Sequence, residues 1–257
     1  MTMKERAGIQ SVEVGFELLQ VLSQAEGPLM LRDLAALAGM SAAKAHRYLV
    51  SFQRLGLVTQ DSATTRYDLG ASALKLGLAA LSRLDPVKLA RERVPELMST
   101  IGHTVALAVW GNQGPTIVHW QESPHAMSVL RLGDVMPLLS SATGRCFAAF
   151  MPRDLVAPMI KAELASAQKI KRADIPHNPT QVKALLDEVR EQGIARVVDS
   201  LLPGVVGFCA PVFDSDGHLA LGMVSLGPAS SFDASWQGHP ASQLRLAAAQ
   251  LSRDLGH

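Results

Sequence analysis

The chain has 257 residues, of which 48% are hydrophobic, 18% charged and 5% aromatic, so it has ample aliphatic material for a core and none of the polarity of a disordered polymer. No stretch approaches the roughly 18 consecutive apolar residues of a membrane span, and the opening Met-Thr-Met-Lys-Glu-Arg is no secretory leader, which excludes those classes and sets the expectation of a cytoplasmic protein without membrane contact. The formal net charge of +1 decides nothing about nucleic acid, and residues 1–83 carry only nine Lys plus Arg against seven acids, so the positions of the cations carry the question.

Val12, Phe16, Leu18, Leu19 and Leu22 fall near one helical face, and Glu26-Gly27-Pro28 ends that helix. A short second helix repeats the pattern with Leu31, Leu34, Ala35 and Ala38, and Gly39 supplies a tight turn. Ser41 then caps a third helix. Ala45, Tyr48, Leu49, Phe52 and Leu55 share its inner face, leaving Ala43, Lys44, His46, Arg47 and Ser51 toward solvent. Gly56 ends it, and two short strands at 57–58 and 66–69 flank a polar turn at 61–65. Three helices and a hairpin in this order make a winged helix-turn-helix. Leu74, Leu78 and Leu81 stripe a further helix that ends at Asp85-Pro86 and reads as a linker.

Beyond Pro86 helices alternate with β-rich runs, which predicts a mixed sheet wrapped by helices. Residues 87–101 are helical with a kink or break at Pro95, and strands at 105–110 and 116–121 flank a Gly111-Asn112-Gln113-Gly114 turn. Another strand is expected at 128–132. Ser140-Ser141-Ala142-Thr143-Gly144 opens a helix to Phe150, and Pro152 and then Asn178-Pro179 open two more. Strands at 194–199, 205–213 and 219–226 precede a closing helix over 236–255. The fold class is therefore α+β. The expected domains are a winged helix-turn-helix, DNA-binding in type, over 1–70, a linker helix over 71–85 and a sensor-type unit over 86–257, which the resemblance described next makes effector-binding.

Both halves resemble the isocitrate lyase regulator (IclR) family of bacterial transcription factors. In the first half the resemblance rests on Leu31-x-x-Leu34-Ala35, Gly39-Met40-Ser41, His46-Arg47-Tyr48-Leu49, Leu55-Gly56-Leu57-Val58 and Tyr67-x-Leu69-Gly70. In the second it rests on Leu132-Gly133-Asp134-x-x-Pro137, Ala142-Thr143-Gly144-Arg145, Pro203-Gly204-Val205, Ala210-Pro211-Val212-Phe213-Asp214 and Gly227-Pro228. The order and spacing of these fragments over nearly the whole chain make the set specific. The resemblance implies a winged helix-turn-helix joined to a GAF-like effector domain, assembled as a dimer or a dimer of dimers. Two departures stand out. Val14-Gly15 occupies a place where relatives often carry arginine, and Ser200-Leu201-Leu202 replaces a commonly acidic run, which points to a different effector.

A helix enters the major groove only when its exposed face is not bulky. Ser41, Ala42 and Lys44 at the amino end of the third helix meet that condition; His46 and Arg47, which the resemblance places in the recognition helix, and Ser51 follow, with Thr64 and Arg66 on the wing. The expected partner is double-stranded DNA with a palindromic operator. For the effector, Ala142, Thr143 and Gly144 offer backbone N–H groups and the positive end of a helix dipole to a carboxylate. Strand alternation puts Val205, Gly207 and Cys209 on one face and Val224 and Leu226 on another; Met136 and Ser128 join from the facing loop. The expected ligand is an organic acid with an apolar or aromatic body.

No catalytic residue, metal or cofactor is expected. Cys146 and Cys209 lack Cys-x-x-Cys spacing and read as small core residues rather than redox sensors. His103, His119 and His125, with Glu122, match no zinc spacing. An enzyme at the same pocket is the alternative, but there is no Gly-x-Ser-x-Gly elbow, Walker loop or His-Glu-x-x-His. An adaptor whose winged unit binds protein is the third.

Overall fold

A computed structural model describes residues 8–81, 83, 85–123, 130–167 and 175–257, and the chain divides into two compact units, Met1–Arg83 and Leu84–His257. No helix of the described residues is long and apolar enough to cross a membrane.

The first unit holds α1 (Gln10–Gln24), α2 (Leu31–Leu37), α3 (Ala42–Arg54), β1 (Val58–Gln60), β2 (Tyr67–Leu69) and α4 (Ala71–Leu81). Leu18 and Leu22 of α1, Leu34 and Ala35 of α2, Ala45 and Leu49 of α3, and Val58 and Tyr67 of the hairpin form one core, as their helical and strand spacings require. The left-handed Gly39 (φ 63°) lets the Met40 N–H reach Ala35 O at 2.9 Å, which ends α2 and turns the chain into α3. Tyr48 and Phe52 pack against this core as expected. They also account for Gly15, where a Cβ would come within 2.9 Å of Tyr48 Cδ1 and 3.1 Å of Phe52 Cζ. α4, expected from sequence to be a linker, starts within the winged unit, because Gly70 N–H donates to Leu57 O and Ser72 N–H to Gly56 O.

The second unit contains α5 (Pro86–Ile101), β3 (Thr104–Gly111), β4 (Gly114–Gln121), α6 (Ala142–Phe150), α7 (Arg153–Ala167), α8 (Pro179–Gln192), β5 (Ala195–Val198), β6 (Val205–Phe213), β7 (Leu219–Pro228) and α9 (His239–Asp254). The sheet order is β4-β3-β7-β6-β5. Every pairing is antiparallel, so the mixed sheet expected from sequence is corrected to an antiparallel one. Tight hairpins join β3 to β4 and β6 to β7, and parallel pairs would need crossovers. Alternation along the strands sends Val206, Phe208, Ala210 and Val212 into one layer with α5 and α9. Cys209, Val224, Ala106 and Ala108 face the opposite layer with α6, α7 and α8.

Three other expectations change. α5 runs through Pro95 without a break; that residue is exposed, so the carbonyl its ring leaves without an N–H partner meets water. α9 begins at His239 rather than Trp236, with Pro240 in its first turn. In place of the strand at 128–132, whose first two residues lie outside the described ones, residues 130–134 form a turn in which Asp134 Oδ2 accepts the Arg131 N–H at 2.7 Å. The chain then lies along the edge of β4, with Met136 N–H donating to Pro115 O at 2.7 Å.

Candidate functional site

On α3 the exposed residues are Ala42, Ala43, His46, Arg47, Ser51 and Arg54, with Lys44 half-buried and the Ser41 hydroxyl accepting the Lys44 N–H at 3.4 Å. The exposed residues of the amino end are short, and the second turn carries the exposed cation Arg47, the profile a groove-entering helix needs. The Ser51 hydroxyl bonds back to Arg47 O at 3.3 Å, which leaves its oxygen open as an acceptor. On the wing, Asp61 Oδ1 accepts both the N–H (2.6 Å) and the hydroxyl (2.8 Å) of Thr64. The Thr64 proton is therefore committed to the turn. These bonds hold the Asp61 carboxyl below its ordinary range. Arg66 sends Nη1 to Pro28 O at 3.0 Å and keeps its other N–H groups for a partner. Sequence reasoning did not single out Arg32 or Gln60. They flank a cleft between the wing and α3 that Ala42 and His46 also line.

In the second unit a small cavity of about 40 Å³ lies between α6 and the sheet, below the usual range of ligand sites. Met136, Ala142, Thr143, Val205, Gly207, Val224 and Leu226 line it together, and with them Ile117, Trp120, Leu130, Ser141, Val197, Leu201 and Leu202. Strand parity was the available signal for Trp120 and Val197. Leu201 and Leu202 come from the loop after β5, whose non-acidic character was visible in the sequence.

The polar groups sit at one end. Ser141 caps α6 by accepting the Gly144 N–H at 2.8 Å while donating its own proton to Pro137 O at 2.7 Å. The N–H groups of Ala142 and Thr143 and the Thr143 hydroxyl have no partner among the described residues. Such donors at a helix start, with the dipole behind them, attract an anion.

Gly144 and Cys209 are not part of the lining, and Ser128 lies outside the described residues. Gly144 instead meets the backbone, since a Cβ there would stand 1.9 Å from Pro137 O. Cys209 shares the face of Gly207 but lies farther along β6, where Phe147 and Cys146 pack in the same buried layer. Burial, then neighbouring Cys146, push the Cys209 thiol well above its usual range, which keeps it protonated and unreactive. His119 is turned to the other face, where burial and then Arg91 of α5 lower its pKa. His103 stacks on Phe232 at 4.7 Å between centroids, and His125 lies outside the described residues. Arg145 is buried, with Nε on Leu139 O and Nη1 on Arg196 O, both at 2.8 Å; it ties α6 to its neighbours and not to an exposed surface.

Residues 78–253 match the family described as Bacterial transcriptional regulator IclR C-terminal, and residues 11–62 match the IclR helix-turn-helix domain. The glycerol operon regulatory protein of Streptomyces griseus is 33% identical over 258 residues, covering 96% of this chain and 97% of that protein. The crystal structure of Pseudomonas aeruginosa HmgR superposes with a TM-score of 0.89 at 38% identity, over 97% of this chain and 99% of that one. Agobacterium tumefaciens repressor BlcR shares the fold, with a TM-score of 0.80 at 19% identity, over 97% of this chain and 98% of that one. With both units matched in order, the protein belongs to the IclR family of bacterial DNA-binding transcriptional regulators.

Proposed function

We propose that this regulator binds a palindromic operator through α3, and that an organic acid with an apolar or aromatic body, held in the cavity beside α6, alters that binding. The observation that carries the reading is the cavity's polarity. Its walls are aliphatic apart from Trp120, and its available donors cluster at the start of α6. A carboxylate fits the donors and an apolar body fits the walls. Leu201 and Leu202, where relatives commonly have acids, favour that body over a very small hydrophilic acid. Effector and operator communicate when the acid binds one of two arrangements of the DNA-binding units more tightly than the other.

Calorimetry of the full chain against phenylacetate, phenylpyruvate, pyruvate and glyoxylate tests the effector class. Binding of the aromatic acids in preference to glyoxylate is expected; binding of glyoxylate alone would sink the reading. In the same assay Thr143→Val should weaken the aromatic acid roughly tenfold, the loss of one hydrogen bond to a charged group.

Homo-oligomerisation is supported by apolar side chains that the first unit leaves open. Leu74, Leu76 and Leu78 on α4 and Ile9, Val12 and Phe16 beside and on α1 are all more than half exposed, and apolar side chains left open in this number suit a surface that a second copy covers. Leu74→Glu with Leu78→Glu should shift the protein toward monomer in sedimentation velocity, and an unchanged sedimentation coefficient would remove α4 from the interface.

A further inference from the structure

We propose that Glu163 is a positioning residue for the effector cavity, a carboxylate on α7 that clamps the loop from which one wall of the cavity is built. This rests on the effector reading above. Glu163 Oε1 accepts the Leu138 N–H at 2.6 Å and Oε2 the Leu139 N–H at 2.9 Å. Leu138 and Leu139 are fully buried or nearly so, and without the carboxylate both N–H groups would be left unsatisfied in an apolar setting. The clamped pair lies between Met136 and Ser141, and both of those line the cavity, as do Ala142 and Thr143 just beyond.

The choice of a carboxylate is informative. Burial pushes Glu163 above its usual pKa, against the two N–H groups that pull it down, so the bonds to Leu138 and Leu139 work against the cost of desolvation. A carboxylate alone offers one acceptor oxygen to each N–H; glutamine would turn an NH₂ group toward one of them. The carbonyls of the same loop are also engaged, Leu139 O by Arg145 and Pro137 O by Ser141. Held from both sides, the loop fixes where the free N–H groups of Ala142 and Thr143 point, and with the donors of Leu138 and Leu139 occupied, those two remain for the ligand.

The test uses the full chain with Glu163→Gln and Glu163→Asp. Hydrogen exchange is read over residues 136–145. Faster exchange confined to that segment is expected in both variants, stronger in Glu163→Gln; unchanged exchange would overturn the clamp whatever ligand the protein takes. Calorimetry with phenylacetate and phenylpyruvate forms the second arm. Glu163→Gln should weaken binding roughly tenfold through loss of a charged hydrogen bond, with DNA affinity of the ligand-free protein within about twofold, as expected for distant sites. If the carboxylate acted only as a repelling charge, Glu163→Gln would bind the acids more tightly, and that result too overturns the proposal. Should the unaltered protein bind neither acid, the effector class fails while the exchange arm still decides the clamp.

Discussion

Arg47→Ala is expected to lower affinity for DNA upstream of the protein's own or adjacent genes by roughly tenfold or more per half-site, since one good pairing to a base is worth about 1–3 kcal/mol. Arg47 sits one turn beyond Ala43 on the exposed face of α3, so a helix seated by its short amino-terminal residues carries the guanidinium into the groove wall. Binding measured against salt separates the two ways it can act. If Arg47 neutralises a phosphate, its removal flattens the slope of log K against log salt by about 0.9 per phosphate and leaves sequence preference intact. If it reads a base, its removal keeps the slope and relaxes preference at one position of each half-site. Unchanged affinity and slope would remove α3 from the DNA surface and favour the adaptor reading of the winged unit. Arg66→Ala is expected to have a smaller effect, since part of its guanidinium already bridges to Pro28 O.

The difference between these two arginines also marks the reach of the sequence. Helical spacing put Leu18, Leu34, Ala45 and Leu49 inside and Arg47 outside, because one side of each helix must be apolar for the winged unit to have a core, but it also put Val12, Phe16 and Leu55 on those apolar faces, and all three are more than half exposed. Spacing says nothing about where a surface side chain is already engaged, so the Arg66 bridge and the Asp61 hold on Thr64 were invisible. The cavity beside α6 follows the same division. Period-two alternation assigned Gly207, Val224 and Leu226 to the face that lines the cavity, but it does not say how far along β6 the cavity extends, and Cys209 falls beyond it. Glu163 left no local pattern at all: it pairs with N–H groups 25 and 24 residues earlier, a long-range bond that only the packed structure brings together. The antiparallel sheet was legible in its hairpins and misread as mixed because helices alternate with strands along the chain.

Two glycines beside the cavity should separate its architecture from its capacity. Gly144→Ala is expected to destabilise the second unit by about 3 kcal/mol or more, because overpacking against atoms that cannot move exceeds the usual cost of an added methyl. Its Cβ would stand 1.9 Å from Pro137 O and 2.5 Å from Leu138 Cα. Both are backbone atoms of the loop that Glu163 and Arg145 hold, so neither can retreat without breaking those bonds. Gly207→Ala places its methyl 3.5 Å from Val197 Cγ2 and 3.8 Å from Ala142 Cβ, which is ordinary contact. Stability should then stay within about 1 kcal/mol of the parent, since alanine also restricts the unfolded chain. The same methyl enters the cavity floor and should weaken the aromatic acids, with Gly207→Val weakening them further. Urea denaturation followed by the fluorescence of Trp110, Trp120 and Trp236, all in the second unit, reads the first quantity and calorimetry the second. A Gly144→Ala protein as stable as the parent would show that the loop at 137–139 yields more readily than its hydrogen bonds imply. A Gly207→Ala protein that binds the acids unchanged would move the ligand away from β6.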